Sequence, residues 1–233
     1  MRNIVIFGAS RGLGHALTEG LGADQDRFFL VSRSEPVSLK VRTSFSKQWI
    51  QADLSDTLSV PTIIETIGDS PIDVLVYNAG IWEEKSFEST PQDEILRIIN
   101  TNLTSAILLV QQLLPNLRTG NLKKIIFIGS TCGLENEGND AVVYTATKFG
   151  LRGATHALRE FLRKDGISVA CISPGSIATD IPFGEGAGAA LQKYMGARMP
   201  VADIVNIVNL ILNMSNATCI KEIHVPALQD TDV

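Results

Sequence analysis

The sequence predicts an α/β fold: a doubly wound parallel sheet of about seven strands with helices on both faces. Three observations predict it. Short apolar, β-branched runs alternate with longer helical patterns along the chain. Several runs are apolar nearly throughout, as strands covered on both faces must be. No proline- or glycine-rich linker, internal repeat or low-complexity segment divides the 233 residues, so residues 1–233 read as one domain.

Each element follows in order. NIVIF (3–7) is the first strand, and GASRGLG turns the chain into a helix over 12–22. FFLVS (28–32) and WIQA (49–52) are the next strands, the latter followed by a helical pattern over 57–68. DVLVY (73–77) precedes one long helix over 91–117, and KIIFIG (124–129) precedes another over 144–164. SVACIS (168–173) is the sixth strand. The glycine cluster PFGEGAGAA (182–190) then reads as a mobile loop at the carboxyl edge of the sheet, where open α/β sheets bind ligands. A helix over 201–214 and the strand EIHV (222–225) complete the pattern. Right-handed crossovers leave few ways to connect such a series.

The bulk numbers exclude several function classes. Hydrophobic residues make up 45% and charged residues 19%, which is a folded rather than a disordered balance. Net charge is −5 with no cluster of Lys and Arg, so nucleic acid is not an expected partner. Cys132, Cys171 and Cys219 are odd in number and form no CxxC pair. They point to a reducing compartment rather than a disulfide framework. His15, His156 and His224 form no HExxH-like pattern, so no metal is expected. The opening MRNIVIFGAS holds an apolar run too short for a signal-peptide core, and no run approaches the roughly 18 residues of a membrane span. The expected location is the cytoplasm.

The chemistry begins at IVIFGASRGLG. Gly8, Gly12 and Gly14 lie between strand and helix, where small residues let the backbone approach a pyrophosphate and the helix turns its free N–H groups towards it. The spacing is GxxxGxG rather than GxGxxG, and a purely structural turn is the alternative. No Gly-Lys-Ser/Thr follows, which excludes a P-loop. The second strand ends at Ser32-Arg33, where a site selective for NAD carries an acidic residue. A guanidinium there pairs with a 2′-phosphate, and Arg11 supplies a second cation, so the expected cofactor is NADP(H). The alternative is that Arg33 ends a strand in solvent. Asp53 follows the third strand and is placed either to accept from an adenine amino group or to cap a turn. Finally, Tyr144 and Lys148 stand four residues apart, on one face of the helix they open.

Taken together, GASRGLG (8–14), NAG (78–80), Asn102 in INTNL, Ser130 in IGS, Tyr144-x-x-x-Lys148 and SPGSIAT (173–179) resemble, in order and spacing, the compact single-domain branch of the short-chain dehydrogenase/reductase family. The resemblance covers residues 1 to about 180. It implies a Rossmann-like fold and a catalytic set of Tyr144, Lys148, Ser130 and Asn102. Tyr144 would protonate a carbonyl oxygen or deprotonate an alcohol. A free phenol titrates near pH 10, and a neighbouring cation favours the phenolate. The family also uses the lysine to hold the nicotinamide ribose. Ser130 would hold the substrate oxygen. Asn102 would open its helix and hold a water beside Lys148, with Asn100 as a rival. Asn78, Ala79 and Gly80 would pass close to the cofactor. Pro174, Gly175, Ile177 and Thr179 would hold the nicotinamide amide. Ser10 and Leu13 in the glycine turn, and Leu54 beside Asp53, complete the implied cofactor contacts.

Two features depart from the family pattern. The C-terminal EIHVPALQDTDV lacks the usual glycine pair after the last strand, and Phe7 stands where a threonine commonly precedes the glycine turn. Trp82, Leu134, Ile181, Pro182 and Phe183 fall in segments expected to ring the substrate, which suggests a small hydrophobic ketone or aldehyde. Ordinary loop packing is the alternative. Glu135, Glu137 and Asp140 give the loop before Tyr144 an acidic rim, for which a solvated loop is the ordinary reading. The helix over 201–214 is apolar around most of its circumference, so burial on more than one side is expected, by the sheet on one side and by a subunit contact on another. The family pairs subunits through the helices over 91–117 and 144–164, so a homodimer or homotetramer is expected. The sequence therefore reads as an NADP-dependent carbonyl reductase. Its alternatives are an NADP-binding regulatory protein and a signalling scaffold.

Overall fold

The structure is a computed structural model, and it describes residues 1–40, 44–134 and 139–230. Seven parallel strands form one sheet in the order β3-β2-β1-β4-β5-β6-β9. They are β1 (Asn3–Phe7), β2 (Arg27–Ser32), β3 (Ser46–Gln51), β4 (Val74–Tyr77), β5 (Lys124–Ile128), β6 (Ser168–Pro174) and β9 (Glu222–Val225). A small parallel pair, β7 (Ile177–Ala178) and β8 (Met199–Pro200), stands apart from the sheet. The doubly wound sheet is the one the sequence predicts.

Alternating side chains of the same strands feed two cores. Val5 and Phe7 of β1 face α2 (Ser59–Ile67), α4 (Ser105–Gln112) and α6 (Val142–Leu162). Ile4 and Ile6 face α1 (Gly12–Leu21) and α8 (Val201–Asn213). This is the period-two consequence of a strand covered on both faces. The strand order reverses direction between β1 and β4, which opens a crevice at the carboxyl ends of the strands.

Two expectations need correction. The helix over 91–117 is not continuous. It comprises α3 (Gln92–Ile99), a wide π-type turn (Asn100–Thr104), α4 and α5 (Leu114–Thr119). In the wide turn the Ser105 amide donates to the Asn100 carbonyl, one residue further back than an α-helix allows. The Thr101 carbonyl, passed over by Ser105, accepts the hydroxyl of Tyr77 at 2.6 Å. Burial pushes that phenol far above its ordinary range.

The glycine cluster is not a loop. Phe183–Glu185 forms a single 3₁₀ turn, and α7 (Gly186–Tyr194) follows it. Gly186 takes the positive φ that the entry to α7 requires (φ +76). The good helix formers that follow, Ala189 to Lys193, carry the helix on, with Ala190 fully buried. In α8, Val201, Ile204, Val205, Val208, Ile211 and Leu212 are buried, as expected for the side packed on the fold, and Leu210 on the outer side is 49% exposed within the single chain.

Candidate active site

A cleft of about 730 Å³ runs along the carboxyl ends of β1 to β6. The β1 side is shaped by main chain. Gly8 has φ +82, and a Cβ there would stand 2.8 Å from the Cα of Ala79. A Cβ on Gly14 would stand 1.9 Å from the Gly8 carbonyl oxygen, which also accepts from the Asn78 side-chain Nδ2 at 3.0 Å. Only hydrogen fits at either place. The turn thus lies flat against β4, and α1 opens into the cleft. No side chain caps the first turn of α1, and no acidic residue lies in it. Its free N–H groups and dipole suit an anion. Arg11 and Arg33 line the same end, both exposed.

The expected cofactor residues Gly8, Ser10, Arg11, Gly12, Leu13, Arg33, Asp53, Leu54, Asn78, Ala79, Gly80, Pro174, Gly175, Ile177 and Thr179 all line this cleft. Gly14 does not; it packs behind the turn against Gly8 and Asn78. Asp53 lies on the wall, and its Oδ1 accepts the Ser55 amide at 2.9 Å and the Ser55 hydroxyl at 2.8 Å. Burial alone would raise its carboxyl. The Ser55 hydrogen bonds and the charges of Arg33 and Arg97 outweigh that and hold it below its ordinary range. The turn-forming reading of Asp53 is therefore present in the structure, on a side chain that also borders the cleft.

The other wall is built from side chains. Ser130 follows β5 and is buried, and its Oγ accepts the Cys132 amide at 3.2 Å. The hydroxyl hydrogen remains available to a ligand oxygen. Lys148 is 4% exposed; its Nζ donates to the Ile128 carbonyl at 3.0 Å and lies 5.3 Å from the centroid of the Tyr144 ring. Ser130, Tyr144 and Lys148 all line the cleft. Asn102 does not. It is fully buried behind Gly80, where its Oδ1 accepts the Ile81 amide and its Nδ2 donates to the Ile81 carbonyl, both at 2.9 Å. A Cβ on Gly80 would lie 3.5 Å from Lys148 Nζ and 3.8 Å from Asn102 Oδ1, so both groups lie against this glycine. The rival Asn100 points elsewhere, donating to the Ser55 carbonyl at 3.1 Å.

Of the expected substrate wall, Trp82 lines the cleft, with its ring centroid 4.3 Å from that of Tyr144. Ile181, Pro182 and Phe183 do not. They line a separate small crevice with α7 and α8, because Phe183 packs into the core beside Gly20 and Val205. Leu134 is half-buried outside the cleft lining. Of the acidic rim, Asp140 is exposed, whereas Glu135 and Glu137 lie outside the described residues.

Sequence reasoning missed two groups. Arg97 lines the cleft from α3; its pairing with Glu94 (3.0 and 2.6 Å) reads in sequence as an ordinary i, i+3 surface pair. Glu83 is 6% exposed and accepts from the amides of Val143 and Tyr144 at 2.8 and 2.7 Å. Its only sequence signal was an acid soon after NAG, with nothing to mark partners 60 and 61 residues away.

Comparison with known proteins agrees with this geometry. The family model described as short chain dehydrogenase matches residues 2–185. The chain is 32% identical over 184 residues to the ketoacyl reductase HetN of Nostoc sp., a match spanning 76% of this chain and 64% of that protein. It is 30% identical over 181 residues to the 3-oxoacyl-[acyl-carrier-protein] reductase FabG of Escherichia coli, covering 76% of this chain and 74% of FabG. A metagenomic short-chain oxidoreductase solved in complex with NADP superposes with a TM-score of 0.72 at 25% identity, over 97% of this chain and 96% of the other. The family match covers most of the sequence and all of the cleft-lining residues, and the chain belongs to the short-chain dehydrogenase family.

Proposed function

We propose that the protein is an oxidoreductase that transfers hydride between NADP(H) and a carbonyl or secondary alcohol, with a small hydrophobic ketone or aldehyde as the carbonyl. The observation that carries the reading is the meeting of Ser130, Tyr144 and Lys148 on one wall of a cleft whose other end is glycine-shaped and cationic.

The residues fit a dinucleotide. Gly8 and Gly14 let the turn lie flat against Ala79 and leave main chain lining this end of the cleft, the open first turn of α1 suits a pyrophosphate, and Arg11 and Arg33 suit a 2′-phosphate. The bound nicotinamide supplies the hydride. Lys148, Asn78–Gly80 and the segment 174–179 would hold its ribose and amide. The protein's own work is at the carbonyl oxygen. The Ser130 hydroxyl, its oxygen already engaged by the Cys132 amide, donates to that oxygen and fixes it beside the phenol. Tyr144 donates its proton to the same oxygen as charge develops there. The Lys148 ammonium, 5.3 Å from the ring centroid, places a positive charge beside the negative one left on the phenol oxygen. Trp82 gives the pocket an aromatic wall against Tyr144, which favours an apolar carbonyl compound.

HetN and FabG are named for ketoacyl substrates, so acetoacetyl thioesters belong in the assay beside simple ketones and aldehydes. NADPH oxidation across that panel is the test. Turnover that survives Tyr144→Phe undiminished rejects the mechanism, and tight NADPH binding without turnover on any carbonyl favours a regulatory protein. The exposed Leu96, Ile107, Val142 and Phe149 of α3, α4 and α6 support a homodimer or homotetramer. Light scattering at micromolar concentration that finds only a 25 kDa species removes that part of the proposal. No helix among the described residues is long and apolar enough to cross a membrane, in keeping with a cytoplasmic location.

A further inference from the structure

We infer that Glu83 is a positioning residue for Tyr144, acting from the loop after β4 as the missing cap of α6. The inference rests on the role proposed above for Tyr144. Helix α6 starts without a cap of its own: Ala141 stands at the N-cap, no side chain caps the end, and the first turn holds no acidic residue. An uncapped helix leaves its first N–H groups without partners. Glu83 supplies them. Its Oε1 accepts from Val143 at 2.8 Å and its Oε2 from Tyr144 at 2.7 Å. These are the second and third residues of the helix, the pair an ordinary capping side chain serves. The carboxylate is 6% exposed, and no lysine or arginine pairs with it among the described residues. Two charge-assisted hydrogen bonds and the positive end of the α6 dipole hold the buried charge.

The neighbours of Glu83 make this more than a cap. Ile81 is bound through both its main-chain groups to Asn102. Trp82 lies on the ring of Tyr144, centroids 4.3 Å apart and planes tilted by 46°. Three consecutive residues therefore hold, in turn, the wide turn, the phenol ring and the amide of Tyr144. The ring and main chain of residue 144 are gripped by adjacent links of one strap, which itself is tied to the buried Asn102. A shift of about 1 Å in a reacting group is enough to cost about 100-fold in rate.

Glu83→Gln tests this. The amide offers one acceptor oxygen and turns an NH₂ donor towards an N–H donor, so one hydrogen bond is lost and a repulsion replaces it. Three readings are taken: amide exchange at residues 143 and 144, NADPH affinity, and kcat per NADPH-binding site with its solvent deuterium isotope effect. The expected result is exchange faster by about 10-fold or more at the two amides, a dissociation constant for NADPH within about twofold of wild type, and kcat per site lower by about 10- to 100-fold with a larger isotope effect. A cap with only a structural role would reduce the number of binding sites and leave kcat per site and its isotope effect unchanged; that result overturns the proposal. If Glu83→Gln fails to fold, Glu83→Asp, which keeps the charge one methylene short of the helix, is read in the same way. If wild type turns over no carbonyl at all, the proposed function fails and this role fails with it. Faster exchange in the variant would then mark Glu83 as a cap of α6 alone.

Discussion

The two walls of the cleft are built by opposite means. On the β1 side the surface is largely main chain: Gly8 leaves no room for a Cβ, Gly14 behind it leaves none either, and the cations Arg11 and Arg33 are exposed. The β4–β6 side is built on buried polar side chains: Glu83, Asn102, Ser130 and Lys148 are each buried, and each has a main-chain partner. The difference teaches where each wall is vulnerable. The first fails when atoms are added, and the second fails when a donor or acceptor is removed.

The largest effect should come from the second wall. Tyr144→Phe removes one hydroxyl and should lower kcat by about 10²- to 10⁴-fold while NADPH titration remains near wild type; a parallel loss of binding would mean that the two walls are not separable. Next comes the first wall. Gly14→Ala places a methyl 1.9 Å from the Gly8 oxygen, and urea melts should show a loss of about 2–4 kcal/mol with NADPH binding weakened alongside. An unchanged midpoint would show that the turn yields. Arg33→Ala should weaken NADPH by about 10- to 100-fold, the worth of a charge-assisted hydrogen bond, and leave NADH nearly unchanged; equal losses would assign Arg33 to the adenosine in general.

The smallest effect lies outside both walls, where Arg152 of α6 binds Glu222 of β9 at 2.6 Å. The Arg152 hydrogen bond, against the opposing pull of burial and with help from His156, lowers the Glu222 carboxyl to about 2. A depressed carboxyl stabilises the fold above its unfolded value of about 4.3, and that contribution disappears as pH falls through about 2. The gap in melting temperature between wild type and Glu222→Gln should therefore narrow from pH 5 to pH 2. A constant gap would show that the pair contributes no charge-dependent stability.

The sequence disclosed the main-chain wall more fully than the side-chain wall. Strand runs such as NIVIF and KIIFIG are apolar throughout, and glycines at 8, 12 and 14 mark a backbone that something must approach, so local pattern alone locates them. Tyr144 and Lys148 are legible because four residues in a helix put them on one face. Glu83 is not, since its partners are 60 and 61 residues away and a lone acid in a loop looks like any solvated one. Periodicity did not show the break within 91–117, because NTNLT is no worse a helix segment than its flanks; the family resemblance pointed to it, through an Asn102 expected to open its helix. The carbonyl freed in the wide turn is satisfied from another element, by the Tyr77 hydroxyl. Helix α7 was hidden by its own glycines, which mask a run of good helix formers docked on the core through Ala190. Phe183 was misassigned to the cleft for the same reason: nothing local says which of two sides a loop aromatic will fill.

The wide turn at Asn100–Thr104 amounts to one surplus residue in a helix. Each residue advances an α-helix by about 100°, so excising Thr101 to restore even winding would rotate everything downstream by that angle. Leu109 and Val110, now fully enclosed, would swing towards water, and Asn102 would leave Ile81 without its tether. The irregularity is thus the phase correction that lets one rod meet a greasy sheet at its far end and a polar cleft at its near one.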